Sequence, residues 1–152
     1  MSDSEIINQE LDDAPAPKLP MAAALVALCG LADAVYLTIH HYAAEPVPCG
    51  EAFDCASVLT SPYAEIAGIP LAVFGALAYF VAFSLAILAI FGNRATWKLF
   101  GIQVVLMALF TFWLLYLQAF VLKAFCQYCL ISAAVTLTLL IIALASKFWR
   151  SK

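Results

Sequence analysis

Four of the five cysteines in this chain stand in two pairs. Cys49 and Cys55 are separated by five residues in PVPCGEAFDCASVLTSPY, and Cys126 and Cys129 by two in KAFCQYCLIS. At a rise of about 1.5 Å per residue, a CxxC pair fits within one turn of a helix, so Cys126 and Cys129 can be bridged across a helix start. A thiol in that position has its thiolate favoured by the unpaired N–H groups and the dipole of the first turn, and Lys123 adds a nearby positive charge. Thiolates are the attacking species in disulfide exchange. The pair is therefore placed for redox reaction.

The elements that must carry the two pairs follow from composition. Of 152 residues, 66% are hydrophobic and 11% are charged, which is too apolar for a water-soluble domain of this size. A helix crosses the hydrocarbon core with about 20 mostly apolar residues. Four such windows are present: Met21 to Tyr42, Ile66 to Phe91, Leu99 to Leu122 and Phe125 to Ser146. The expected fold is an all-α membrane protein, a four-transmembrane-helix bundle with an extracytoplasmic loop and a short lid segment between the first two spans. It forms one domain over residues 21–148. Residues 1–20 are acidic and contain proline, and they read as a disordered cytoplasmic tail. A cleaved signal peptide has a basic leader and a short apolar core, and neither is present, so the first span reads as retained.

Lys18, Arg94, Lys98, Lys147, Arg150 and Lys152 fall at one end of the four spans and Lys123 at the other. Basic residues are retained on the cytoplasmic side. Both termini therefore read as cytoplasmic, and the segment from about Ala43 to Glu65 as facing the exterior or periplasm. Both cysteine pairs then share the oxidising face, where disulfides persist. The net charge of −3 comes largely from the tail and the outer loop, so it points to no nucleic-acid partner. Other readings of the sulfurs stay open: two disulfides that only staple loop to bundle, a four-thiolate zinc site, or a carrier that hands a soft cation from pair to pair. A staple leaves the CxxC spacing and its helix-end position unexplained, and redox chemistry accounts for both. A carrier needs a thiol pair leading to the cytoplasm, which Cys29 alone does not supply.

The order of the parts carries a family resemblance. C-x5-C in the first outer loop, a serine six residues on (Cys55 to Ser61), GIP opening the second span and CxxC heading the fourth together resemble the bacterial vitamin K epoxide reductase homologues, from about residue 20 to 148. The resemblance implies an inner-membrane four-helix bundle that oxidises a thioredoxin-like partner and passes the electrons to a quinone, ubiquinone or menaquinone. It implies that Cys49 exchanges with the partner, that Cys55 links transiently to Cys126, and that Cys129 faces the quinone while Ser61 hydrogen-bonds near a quinone oxygen. No thioredoxin-like segment follows the fourth span, so the expected partner is a separate periplasmic protein of the DsbA type. A DsbB-type quinone oxidase has the same chemistry with the two cysteine motifs in the reverse order. The animal enzymes of the resembled family hold vitamin K with an Asn early in the second span and a Tyr four residues after CxxC. Here those places are Leu71 and Ala133, which favours disulfide formation over epoxide reduction.

Several further residues carry expectations. Ser61, Pro62 and Glu65 also suit a helix start, with a capping hydroxyl, proline in the first turn and an acid near the positive end, and SPYAEIAGIP reads as a lid over the bundle. Gly50 and its small neighbours suit a loop in which Cys55 swings between Cys49 and Cys126. In the first span Cys29, Asp33, Tyr36 and His40 share a stripe. Asp33 reads first as a neutral or hydrogen-bonded residue that fixes helix packing, with Tyr36, Gln103 or Gln118 as candidate partner, and second as a proton relay. Cys29 reads as a small buried residue. Phe74, Phe112, Tyr116, Phe120 and Phe125 are the aromatics available near the outer end.

Overall fold

The computed structural model describes residues 2–12 and 16–150. In chain order its helices are α1 (Asp3–Asp12), α2 (Lys18–Ala43), α3 (Cys55–Leu59), α4 (Leu71–Ile90), α5 (Arg94–Tyr116), a π-helical turn (Leu117–Leu122) and α6 (Gln127–Arg150). Four segments are long and apolar enough to cross a membrane: Lys18–Ala43, Leu71–Ile90, Arg94–Leu122 and Gln127–Trp149. They form the expected four-helix membrane bundle. α2 packs on α4 and α6, and α5 closes the ring against α4 and α6.

Local chemistry sets the ends of these helices. Asn93 caps α5, its Oδ1 accepting from the N–H groups of Ala95 (3.0 Å) and Thr96 (3.3 Å), and Gly92 supplies the left-handed turn before it. The third span consequently begins at Arg94, ahead of the window that hydropathy picks out. The second begins at Leu71, later than expected, because Glu65–Ile66 (β1) and Ile69–Pro70 (β2) pair as a small antiparallel hairpin. The two residues between the strands, Ala67 and Gly68, both have positive φ, the geometry of a tight primed turn. At the other end of the chain, α1 is helical where composition reads as a disordered tail. The Ser2 N–H donates to Glu5 Oε2 at 3.0 Å, the return bond of a capping box. Residues 13–15 of that tail, and Lys152 among the basic residues that set the orientation, lie outside the described residues.

Small residues bring the helices together. α2 buries Ala23, Ala27, Gly30 and Ala34 against α4, which buries Tyr79, Ala82, Ala86 and Ala89. Such stripes let backbones approach closely in a membrane. A Cβ at Gly30 would overlap the Tyr79 ring, so glycine is what lets that ring lie against α2. The Tyr79 hydroxyl donates to the Ser132 carbonyl (2.9 Å) and accepts from the hydroxyls of Ser132 (2.7 Å) and Thr136 (2.9 Å). This network joins α4 to α6 one to two turns from Cys129. Near the opposite end, Trp97 Nε1 donates to Ser146 Oγ at 2.9 Å and ties α5 to α6.

Candidate active site

The segment after α2 folds back onto the start of α6. Asp54 caps α3: its Oδ1 accepts from the Ser57 N–H (3.1 Å) and its Oδ2 from the Ser57 hydroxyl (2.6 Å), and these bonds hold its carboxyl below the usual carboxylate range. Three bonds dock the loop. The Asp54 N–H donates to the Phe125 carbonyl (3.0 Å), the Gly50 N–H to Gln127 Oε1 (3.1 Å) and the Tyr128 hydroxyl to the Pro48 carbonyl (2.7 Å). The loop is thus fastened to the residues that flank and separate the CxxC cysteines. This differs from the free swing expected around Gly50, whose backbone N–H is one of the anchors.

Docking gathers all four cysteines. Cys49 and Cys55 are joined in a disulfide with a Cα–Cα distance of 6.1 Å. Cys126 and Cys129 are free thiols. Cys55, Val58 and Cys126 form one buried cluster, with Cys49 and Cys129 packed against it. Cys126 sits at the cap position of α6, its carbonyl accepting the Leu130 N–H at 3.1 Å. Its thiol is pulled below its ordinary value, to about 7, first by a hydrogen bond from the Cys129 side chain; burial opposes this, and the N–H groups of Cys129 and Tyr128 reinforce it. The exposed Lys123, in a left-handed turn at φ 51°, is not among those causes. The helix-end activation expected from sequence therefore comes from the first-turn amides and the paired thiol.

Cys129 looks the other way. It lines a cavity of about 870 Å³ among α2, α4, α5, α6 and the lid, whose walls include Asp33, Ser61, Phe74, Gln103, Gln118 and Tyr79, and which neither Cys126 nor the loop disulfide lines. That volume falls within the range of small-molecule sites, and a mostly apolar wall with a few converging polar groups is their usual character. An Asp33 Oδ2 with no hydrogen-bond partner is buried there, a polar atom that a ligand hydroxyl or carboxyl proton would satisfy. The site suits a quinone: apolar walls for the ring, a thiol beside it and a carboxyl to exchange protons.

Other residues depart from expectation. Of the two forms read for a packing Asp33, neutral or hydrogen-bonded, the hydrogen bond has no counterpart at Oδ2, which is buried without a partner among the described residues. Ser61 lines the cavity and stands at the N-cap of the 3-10 turn Pro62–Ala64, its carbonyl accepting the Ala64 N–H at 3.0 Å, but its hydroxyl makes no capping bond and donates instead to the Val58 carbonyl at 2.8 Å. With its proton committed it can accept from a ligand hydroxyl, whereas a quinone carbonyl needs a donor. Cys29 is exposed, not buried, because Ala27, Gly30 and Ala34 occupy the packed face of α2. Of the five outer aromatics only Phe74 lines the cavity; Phe112, Tyr116, Phe120 and Phe125 are exposed on the outside of the bundle. Leu71 and Ala133 do line it, so both places where the animal enzymes offer a polar group are apolar walls. Gln118, considered from sequence only as a partner for Asp33, accepts the Cys126 N–H at 3.0 Å. The signal was available, since a polar residue eight positions before CxxC in an apolar span has a reason to be there.

The sulfurs of Cys49 and Cys55 are bonded to each other, so the four-thiolate zinc reading lacks two of its ligands. What the arrangement can do is exchange disulfides between a docked loop and a membrane dithiol. Residues 21–144 match the sequence profile of the Vitamin K epoxide reductase family. The chain belongs to that family. No curated protein matches it. As a member of the vitamin K epoxide reductase family it is a multi-pass membrane thiol oxidoreductase.

Proposed function

We propose that this protein reoxidises the dithiol of a separate periplasmic thioredoxin-like protein of the DsbA type and delivers the electrons to ubiquinone or menaquinone in the inner membrane. The observation that carries this reading is the division of the CxxC pair: Cys126 is buried against Cys55, while Cys129 lines the cavity. The two sulfurs of one dithiol thus meet a disulfide on one side and a small-molecule site on the other. The excess of Lys and Arg at the opposite end supports cytoplasmic termini and a periplasmic location for the cysteines.

The relay balances in three exchanges. A partner thiolate attacks Cys49, releasing Cys55 as thiolate, and the second partner thiol then displaces Cys49, so the partner leaves oxidised. Cys55 next attacks Cys126 of an oxidised Cys126–Cys129 pair, and Cys49 resolves that link, restoring the loop disulfide and leaving Cys126 and Cys129 reduced. This last redox pattern, a loop disulfide beside two thiols, is the one in the structure. A bound quinone accepts two electrons and two protons and so returns the membrane pair to a disulfide. The protein's part is to present Cys129 to the cavity, to offer Asp33 as a proton-exchanging group, and to let Ser61 accept from the hydroxyl of the reduced product. The direction is downhill from a DsbA-type partner, whose potential is about −120 mV, to a more positive quinone.

The test is quinone reduction by the purified protein in detergent, driven by a reduced thioredoxin-like oxidase, in wild type, Cys129→Ala and Cys49→Ala. Turnover is expected in the wild type and lost in both variants, with Cys49→Ala still running on a small dithiol that reaches the interior pair directly. No turnover with either quinone, with the loop disulfide intact, would return the cysteines to a structural role.

A further inference from the structure

We propose that Gln127 and Tyr128, the two residues between the CxxC cysteines, are positioning residues that hold Cys49 within reach of the Cys55 sulfur, so that Cys49 resolves the Cys55–Cys126 link; the role rests on the relay above. Each loop cysteine has its own anchor at the start of α6. The residue before Cys55 is held by the residue before Cys126, the Asp54 N–H donating to the Phe125 carbonyl at 3.0 Å. The residues on either side of Cys49 are held by those between the two thiols: the Tyr128 hydroxyl donates to the Pro48 carbonyl at 2.7 Å, and Gln127 Oε1 accepts the Gly50 N–H at 3.1 Å. A turn from Gly50 to Phe53, closed by the Phe53 N–H on the Gly50 carbonyl at 2.9 Å, separates the two anchored arms.

The clasp on the Cys49 arm is built from side chains in fixed places. The Tyr128 ring lies beside Tyr36 of α2, centroids 5.4 Å apart, so its hydroxyl is aimed from a supported ring. An added Cβ at Gly50 would stand 3.3 Å from both Gln127 Oε1 and the Phe53 ring, so glycine is what lets the arm come this close. The Cys55 arm is held by burial as well. Cys55 and Cys126 are 1% and 0% exposed in one cluster, whereas Cys49 is only partly buried, between the exposed Pro48 and Gly50. Once the loop disulfide opens, Cys49 is the thiol that depends on the clasp for its place.

One step of the relay uses that hold. In the linked state Cys55 is bonded to Cys126, and Cys49 and Cys129 are free. The Cys49 thiolate attacks the Cys55 sulfur: the Cys49–Cys55 bond forms, the Cys55–Cys126 bond breaks, and Cys126 departs with the electron pair. Groups held in the right geometry react as though at a very high concentration, and the two bonds to the backbone around Cys49 supply that geometry. The link itself forms through Cys55, whose anchor is separate. Loosening the Cys49 arm therefore slows the decay of the link and leaves its formation alone.

The test starts from protein in detergent, free of quinone, with both pairs oxidised by diamide and the oxidant removed. One equivalent of dithiothreitol opens the loop disulfide and leaves as its cyclic disulfide; samples are acid-quenched and alkylated, and the Cys55–Cys126 link is followed in time by disulfide mapping. Tyr128→Phe keeps the ring and removes the donor to Pro48, Gln127→Leu removes the acceptor for Gly50 at similar size, and Cys49→Ala sets the unresolved limit. The link is expected to form at the parental rate in Tyr128→Phe, Gln127→Leu and their combination. Its decay is expected to slow about three- to fivefold in each single variant and about tenfold or more in the double variant, the loss that one hydrogen bond apiece gives. Decay at the parental rate in the double variant would overturn the proposal. So would formation and decay slowed alike, which is what a loop loosened as a whole gives. The readout needs no quinone, so slowed decay beside failed quinone reduction would leave the clasp standing and sink only the quinone reading. Absence of the link from every protein, Cys49→Ala included, would overturn both the relay and this role.

Discussion

Cys126 and Cys129 are three residues apart and live in different surroundings, which gives the first of them a titration that can be measured. Cys126 is held to about 7 by the Cys129 side chain and the first-turn amides against the opposing effect of burial. Its pKa is lowered on folding, so the thiolate and the stability that goes with it are present at and above the ordinary thiol range and are lost as pH falls through about 7. The reduced membrane pair should therefore show one thiolate absorbance step near neutrality, absent in Cys126→Ser and moved alkaline in Cys129→Ala, which removes the leading donor. A wild type whose thiols all titrate at the ordinary value would show that the helix start does not activate this position. The cysteines were legible because their spacing is a property of the chain itself. The direction of the Ser61 hydroxyl was not, since it depends on a carbonyl three residues back that a 3-10 turn happens to expose. Nor was the bond from the Cys126 N–H to the Gln118 amide oxygen, which needs the π turn to bring that side chain there.

Helices and their faces were readable from hydropathy, but their ends were set by contacts that hydropathy does not register. Ile66–Pro70 is apolar enough to count toward a span, yet a positive-φ pair at Ala67 and Gly68 folds it into a hairpin. There His41 Nε2 meets Glu65 at 3.3 Å and ties the lid to the end of α2. The packing of α2 on α4 makes a sharper claim. Gly30→Ala gains about 1 kcal/mol in helix propensity, but its Cβ overlaps the Tyr79 ring, and overpacking costs about 1–3 kcal/mol. The clash wins, because the ring is held on its far side by Ser132 and Thr136. Gly30→Ala should unfold at lower temperature than wild type in the same detergent and lose quinone reduction with it, since those bonds anchor α6 close to Cys129. Tyr79→Phe combined with Gly30→Ala should recover part of the stability by freeing the ring to move. A Gly30→Ala protein as stable as the parent would mean that the helices separate without cost.

At the scale of the whole molecule the orientation ties the chemistry to a compartment. The loop that carries Cys49 and Cys55, the lid and the start of α6 lie at one end of the bundle, while the α4–α5 connection and the ends bearing Lys18, Lys98 and Lys147 lie at the other. Basic residues stay cytoplasmic, so the cysteine end should face the oxidising side. Two exposed positions report on the two ends: Glu45 after α2, and Phe91, which is 82% exposed between α4 and α5. In spheroplasts, a membrane-impermeant thiol reagent should label Glu45→Cys at once and Phe91→Cys only after the membrane is opened. Cys29, exposed midway along a span, should remain unlabelled in both and serve as the internal control. The reverse pattern would set both pairs in a reducing cytoplasm, where a loop disulfide would not persist. Quinone reduction by the purified protein could then still be observed, but it would have no periplasmic dithiol to drive it, and the partner reading would fail while the redox site stood.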